Sequence, residues 1–66
     1  MRKVYKTDED NIEDVRDEMM SYEYLFDHAV VKNPDGERIE TEDFDYLMDV
    51  LSFYYNQTIF FYTREY

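Results

Sequence analysis

The chain has 66 residues, 44% hydrophobic and 20% aromatic, and its 17 Asp and Glu residues outnumber 7 Lys and Arg residues to give a formal net charge of −10. This length allows one domain, residues 1–66, and the aromatic content excludes an intrinsically disordered acidic segment. The absence of cysteine excludes disulfides and thiolate metal sites, and no apolar run is long enough to cross a membrane, so we expect a cytoplasmic protein without membrane contacts.

The first predicted elements are a strand and an amphipathic helix. Residues 2–6, RKVYK, are compatible with a short strand. If this strand does not form, the domain has a three-stranded sheet. Thr7 is placed to cap a helix whose first turn is acidic, which suits the positive end of the helix dipole. The helix is predicted to run for about 18 residues, because apolar side chains recur every three to four positions. These side chains belong to Ile12, Val15, Met19, Tyr22 and Phe26.

A β-hairpin is predicted around the only proline and the only glycine of the chain. Pro34 sets the first corner of a turn, Asn33 can bond back to the backbone, and Gly36 accepts a positive φ. The arms are expected near residues 29–32 and 37–40. The same segment fails as a calcium loop because Val31 occupies the first ligand position, and we predict neither a metal site nor a cofactor.

The remaining elements are a second helix and a final strand. Thr41 is predicted to cap a helix that ends near Asn56. Its predicted core face consists of Phe44, Leu47, Met48, Leu51, Tyr54 and Tyr55. The end of the chain, QTIFFYTREY, is rich in residues that favour strands. The resulting order of strand, helix, hairpin, helix and strand predicts a compact α+β domain, a minimal ferredoxin-like fold with two helices on one face of an antiparallel sheet.

An acidic row on the first helix is the main candidate for a binding surface. Seven carboxylates lie between positions 8 and 18, with only Arg16 as a counter-charge. Five of them fall opposite the apolar stripe, namely Asp10, Glu13, Asp14, Asp17 and Glu18. Side chains three or four positions apart on a helix are about 5 to 6 Å apart between Cβ atoms, so the carboxylates would form a regular row. The row is either a solvated face or an imitation of a nucleic-acid backbone.

Two further apolar features are candidates for partner contacts. Tyr46, Val50 and Phe53 form a second apolar line on the second helix, which is either wedged between two elements or exposed for a partner. The last strand is apolar on both sides, with Ile59 and Phe61 pointing one way and Phe60 and Tyr62 the other. RNA-binding modules stack bases on such aromatic residues, but in basic surroundings and with a sequence motif, so we favour a homodimer or partner contact.

The sequence gives little reason to expect an enzyme. His28 is the only histidine, and its neighbour Asp27 does not complete a nucleophilic triad, since the chain has no cysteine and only Ser21 is near in sequence. His28 is instead expected at the end of the first helix. There is also no glycine-rich loop that could hold a phosphate. We therefore predict a protein without catalytic residues.

In size, acidity, lack of cysteine and layout, the whole chain resembles the small phage-encoded inhibitors of host defence and repair proteins. These include anti-CRISPR proteins, anti-restriction proteins and inhibitors of uracil-DNA glycosylase. The resemblance rests on these overall properties and on the acidic stretch DEDNIEDVRDE, not on an aligned motif. It implies a DNA mimic in the host cytoplasm that occupies the basic nucleic-acid-binding site of a target, such as a CRISPR nuclease or another DNA-processing enzyme, and blocks it.

Two functions follow as expectations. In the first, the acidic row binds a basic nucleic-acid-binding protein while Tyr46 and Phe53 supply the desolvated contacts. Direct nucleic-acid binding is not expected, because affinity for phosphates comes mainly from Lys and Arg. In the alternative, the protein is a structural or regulatory interaction module, a homodimer or an accessory subunit, that binds through its aromatic surface, and the acids serve solubility.

Overall fold

The structure is a computed structural model that describes residues 1–53 and 55–64. Its strands are β1 (Arg2–Thr7), β2 (Phe26–Lys32), β3 (Arg38–Thr41) and β4 (Gln57–Thr63). Its helices are α1 (Ile12–Ser21) and α2 (Phe44–Phe53), with a short 3-10 helix at Glu23–Leu25. The predicted α+β class and the order strand, helix, hairpin, helix, strand are confirmed, including the first strand. Neither helix in the described part of the chain is long and apolar enough to span a membrane.

All four strands form one antiparallel sheet in the order β1-β4-β2-β3. The last strand therefore lies inside the sheet, where it pairs with β1 from Arg2 opposite Tyr62 to Thr7 opposite Gln57. On its other side it pairs with β2, with a register shift between Phe26 and His28. The two ends of the described chain are consequently held side by side.

The helices cover one face of this sheet. Alternate residues of β4 are buried beneath them, including Ile59 and Phe61, each 0% exposed, while Phe60 and Tyr62 lie on the other face as predicted. The core contains side chains from both helices and the sheet: Ile12, Met19, Phe26, Ala29, Val31, Leu47, Met48, Val50, Leu51, Ile59 and Phe61. Burial of these apolar side chains is the main force that stabilises the fold.

Helix α1 is ten residues long, and the prediction of about 18 residues from a Thr7 cap was wrong. Thr7 is the last residue of β1, where its hydroxyl donates to the carbonyl oxygen of Tyr55 (2.8 Å) and accepts from the backbone N–H of Gln57 (3.1 Å). The turn before the helix is closed instead by Asp8, whose carboxylate accepts from the backbone N–H of Asn11 (2.9 Å). The hydroxyl of Thr7 is thus engaged within the sheet and is not free to cap a helix.

The far end of α1 also differs from the prediction. The chain leaves the helix through the 3-10 turn, and Phe26 and His28 belong to β2 rather than to the helix. Phe26 nevertheless faces the core, where its ring lies 5.4 Å from that of Phe44 and 5.2 Å from that of Phe61. The apolar spacing of Tyr22 and Phe26 thus predicted the burial of Phe26 correctly, although Phe26 reaches the core from the sheet and not from the helix.

Helix α2 begins at Phe44 and ends at Phe53, which is shorter at both ends than predicted. Asp43, not Thr41, is its cap: the Asp43 carboxylate accepts from the backbone N–H groups of Asp45 (3.0 Å) and Tyr46 (3.2 Å). Of the predicted core face, Leu47, Met48 and Leu51 are buried and Phe44 is partly buried. Tyr55 is exposed beyond the helix, and Tyr54 lies outside the described residues.

The hairpin is confirmed between β2 and β3. Asn33 bonds back to the turn, since its side-chain oxygen accepts from the backbone N–H groups of Asp35 (3.1 Å) and Glu37 (2.9 Å). Gly36 has a φ of +87°, the left-handed conformation that glycine adopts without strain. The first arm is longer than predicted because β2 already begins at Phe26.

We predict that Thr7→Val lowers the free energy of unfolding by about 1 to 3 kcal/mol, because it removes the hydroxyl that accepts from the backbone N–H of Gln57 and donates to the carbonyl oxygen of Tyr55. Urea denaturation measures the change. Thr58→Val is the matched control, since the Thr58 hydroxyl makes no hydrogen bond to the described residues and lies on the other face of the sheet. Equal effects of the two substitutions would contradict this role of Thr7.

Candidate interaction surfaces

Negative charge is concentrated on the side of the molecule that carries the helices. We call residues 8–25 and 42–53 the helical layer. It contains twelve of the 17 carboxylates, eight in the first segment and four in the second, against the single cation Arg16, for a formal charge of −11. The sequence predicted the first group of acids, and the fold adds those around α2 to the same side.

The five acids of the predicted row are all exposed. Asp10 lies in the turn before α1, and the other four are on the helix. Within the described residues, the only carboxylate within ion-pair distance of a basic side chain is that of Asp27, 2.9 Å from His28. The charge of the row is therefore not neutralised by the protein itself.

A buried phenol lies beneath this row. Burial raises the pKa of Tyr5, on the helix-facing side of β1, and the nearby Glu18 carboxylate raises it further. A tyrosine phenol is neutral at physiological pH even with its ordinary pKa, and the raised pKa extends this neutral range to higher pH. Tyr5 therefore adds no negative charge beneath the row.

A groove lies between α2 and β3 on the same side of the molecule. It has a volume of about 450 Å³ and is lined by Ile39, Tyr46, Asp49, Val50 and Phe53. Tyr46 is 47% exposed and Phe53 is 78% exposed, whereas Val50 is only 6% exposed and belongs to the core. The predicted second line of α2 is thus divided: the two aromatic side chains are accessible, and Val50 packs against the sheet.

The opposite side of the sheet has a character that sequence reasoning missed. Its open face, the face turned away from the helices, consists of Arg2, Val4, Lys6, His28, Val30, Lys32, Arg38, Glu40, Thr58, Phe60 and Tyr62. Four of the seven Lys and Arg residues of the chain lie here. In the sequence, Arg2, Val4 and Lys6 alternate with residues of the opposite face. This spacing does not show which other cations share their face until the partner strands are known.

The single histidine lies on this open face and not at a helix end. Its ring stacks on that of Tyr62, with centroids 4.3 Å apart and planes within 7°. Among the described residues, no three His, Cys, Asp or Glu side chains converge on a position that could hold a metal ion. The histidine therefore contributes an aromatic surface with an adjacent carboxylate, that of Asp27.

No protein-family model matches the chain, and no curated protein or solved structure is significantly similar to it.

We predict that the triple substitution of Asp10, Asp14 and Asp17 by Asn changes the free energy of unfolding by less than about 1 kcal/mol. The three side chains are exposed and form no ion pair within the described residues, so relief of repulsion nearly cancels the weakened interaction of Asp14 with the helix dipole. Urea denaturation checks this expectation. A much larger loss of stability would show that the acids are needed for folding.

Proposed function

We propose that the protein is an acidic inhibitor that binds the basic nucleic-acid-binding site of a target protein, such as a CRISPR nuclease or another DNA-processing enzyme, as a polyanion mimic. The observation that carries the proposal is the helical layer, with a formal charge of −11 and no ion pair to a Lys or Arg among the described residues. A protein that needed acids only for solubility would intersperse both signs of charge. The target's Lys and Arg would supply the missing counter-charges.

The acidic row is suited to a site built for phosphates. Asp14 and Asp17 are three positions apart on α1, and Asp14 and Glu18 are four apart, so the carboxylates follow one another at about 5 to 6 Å between Cβ atoms. Such a row presents closely spaced anions, as a nucleic-acid backbone does. Complementary charge of this kind accelerates association and makes it sensitive to salt.

The groove beside α2 would supply contacts that persist after docking. Its lining combines the apolar side chains of Ile39 and the buried Val50 with two exposed rings and one carboxylate, those of Tyr46, Phe53 and Asp49. A Lys or Arg side chain of the target fits this arrangement, because its aliphatic stem can contact the apolar side chains and the rings while its charge meets the carboxylate. Aromatic side chains in such pockets often dominate binding energy.

The mimicry is tested by affinity capture from a nuclease-treated bacterial lysate, with the captured proteins identified by mass spectrometry. The wild type is compared with the Asp10, Asp14 and Asp17 to Asn variant and with a matched control, Asp35→Asn, Glu37→Gln and Glu40→Gln. Both variants have a formal charge of −7, three units less negative than −10, but only the first loses charge from the helical layer. We expect a nucleic-acid-processing protein to be captured by the wild type and the control.

We expect the helical-layer variant to bind that captured protein about tenfold more weakly or worse, with a smaller dependence on salt. The purified target should also release its nucleic acid when the wild type is added. Equal binding by both triple variants would contradict the mimicry, since net charge would then matter and its position would not.

The groove gives a second prediction. Tyr46→Ala with Phe53→Ala should increase the dissociation rate of the complex more than it slows association, because the rings act after docking. Surface plasmon resonance with the captured target measures both rates. Tyr24→Ala is the control, since Tyr24 is 75% exposed on the 3-10 helix and lies outside the groove.

The second candidate function is a structural or regulatory interaction module that binds through its aromatic surface. It is favoured by the exposure of Tyr46 and Phe53 beside the apolar side chains of the groove, which is a contact site independent of the acidic row. Under this function, binding would resist salt and the helical-layer variant would bind normally. Sedimentation velocity would then detect a dimer that the Tyr46 and Phe53 substitutions dissociate.

A further inference from the structure

We propose that the open face of the sheet binds single-stranded nucleic acid, with its Lys and Arg side chains on the phosphates and its aromatic rings against the bases. This inference goes beyond the proposed function, because a different surface carries it. It also differs from the expectation drawn from net charge alone. The binding of a nucleic-acid strand depends on the charge of the surface that it contacts more than on the net charge of the protein.

The open face is the basic part of an acidic protein. Arg2, Lys6, Lys32 and Arg38 are all exposed on it, and none of them forms an ion pair with a described carboxylate. Two carboxylates lie on or beside the face, that of Glu40 on β3 and that of Asp27 next to His28. Four cations against two carboxylates, in a chain with 17 acids, leave a local positive patch that a polyanion can neutralise.

Distance and salt limit the opposing field of the helical layer. The two layers face opposite directions across a molecule whose shortest Cα extent is 18 Å. This exceeds twice the Debye length, which is about 8 Å at physiological ionic strength. Salt therefore attenuates the repulsion that the acids of the helical layer exert on a nucleic-acid strand at the open face.

The arrangement of side chains on this face matches a single nucleic-acid strand, which carries both phosphates and bases. Arg2 and Lys6 lie on one edge strand and Arg38 on the other, so the cations flank a strip about 14 Å wide, three strand spacings. The aromatic residues Phe60 and Tyr62 lie between them on β4, one of the two inner strands, and one face of the Tyr62 ring is stacked on His28. Single-strand-binding proteins combine these two components, cationic tracks for the backbone and rings for the bases.

Two exposed cations lie over the Phe60 ring. The guanidinium carbon of Arg2 lies 5.6 Å from the centroid of the Phe60 ring, and Nζ of Lys32 lies 5.4 Å from it. An exposed cation–π contact is weaker than a charge-assisted hydrogen bond. Phosphates can therefore draw these cations aside and leave the Phe60 ring to a base.

Three other possible partners are less complementary to the cations and rings of this face. A symmetric dimer through the open face would bring the cations of one copy against those of the other, since a two-fold contact uses the same patch twice. The acidic helical layer of a second copy would satisfy the cations but would set carboxylates against the rings. Double-stranded nucleic acid would also leave the rings unused, because its bases are stacked inside the helix.

Fluorescence anisotropy with a labelled oligothymidylate of about 12 nucleotides tests the proposal. We expect saturable binding by the wild type, weaker binding of a duplex of equal length, and a fall in affinity between about 50 and 200 mM salt. Lys32→Gln with Arg38→Gln should reduce the slope of log affinity against log salt by about 1.4, since each phosphate that is no longer neutralised reduces the slope by about 0.7. Phe60→Leu, which keeps the charge and most of the apolar volume, should weaken binding about tenfold.

The matched control is Lys3→Gln with Arg16→Gln, which removes the same charge away from the open face. Circular dichroism establishes that each variant is folded. No binding by the wild type at low salt, or equal weakening by the control, would overturn the proposal. Salt-sensitive self-association in sedimentation equilibrium, abolished in the open-face variants without any binding of the oligonucleotide, would overturn it in favour of a second copy of the chain. Because the helical-layer acids are intact in every variant, failure here leaves the proposed inhibition untouched.

Discussion

The pairing of β4 with both β1 and β2 is the interaction on which the rest of the structure depends. It places the last strand inside the sheet, so that Ile59 and Phe61 fill the core beneath the helices while Phe60 and Tyr62 reach the open face. It also holds the start of the chain in place, since β1 has no other partner in the sheet. Without this strand, the cations of β1 and those of the hairpin would not share a surface.

The sheet and the helices separate the charges of the chain onto two sides. Acids gather on the helical layer because helices present their polar residues outward, away from the apolar stripe. Cations gather on the open face because alternate residues of β1 and of the hairpin point away from the helices. The net charge of −10 therefore describes neither surface. Under our two proposals, a basic protein would contact the helical layer and a nucleic-acid strand would contact the open face.

Sequence periodicity identified the elements better than their ends. The apolar spacing of Ile12 and Met19, and of Leu47 and Leu51, predicted both helices and their buried sides correctly. The capping residues were misassigned because Thr, Asp and Asn offer similar oxygen acceptors, and only the tertiary structure shows which are already engaged. Thr7 is held by the backbone at Tyr55 and Gln57, so the turn before α1 is closed by Asp8 instead. For the candidate site, the acidic row was predictable from sequence, while the division of the second line of α2 into the exposed rings of Tyr46 and Phe53 and the buried Val50 was not.

Local sequence was enough to specify the α+β class, the hairpin at residues 33–36, the two amphipathic helices and the acidic surface of the first of them. These features depend on short-range rules: turn residues, apolar periodicity and the outward placement of charge. The order of the strands, and with it the basic open face, emerged only when the segments packed together. The residues of that face come from three separate segments, residues 2–6, 28–40 and 58–62, and no local pattern records which strands will become neighbours. Strand pairing is set by the burial of the whole core, which is a property of all the segments together.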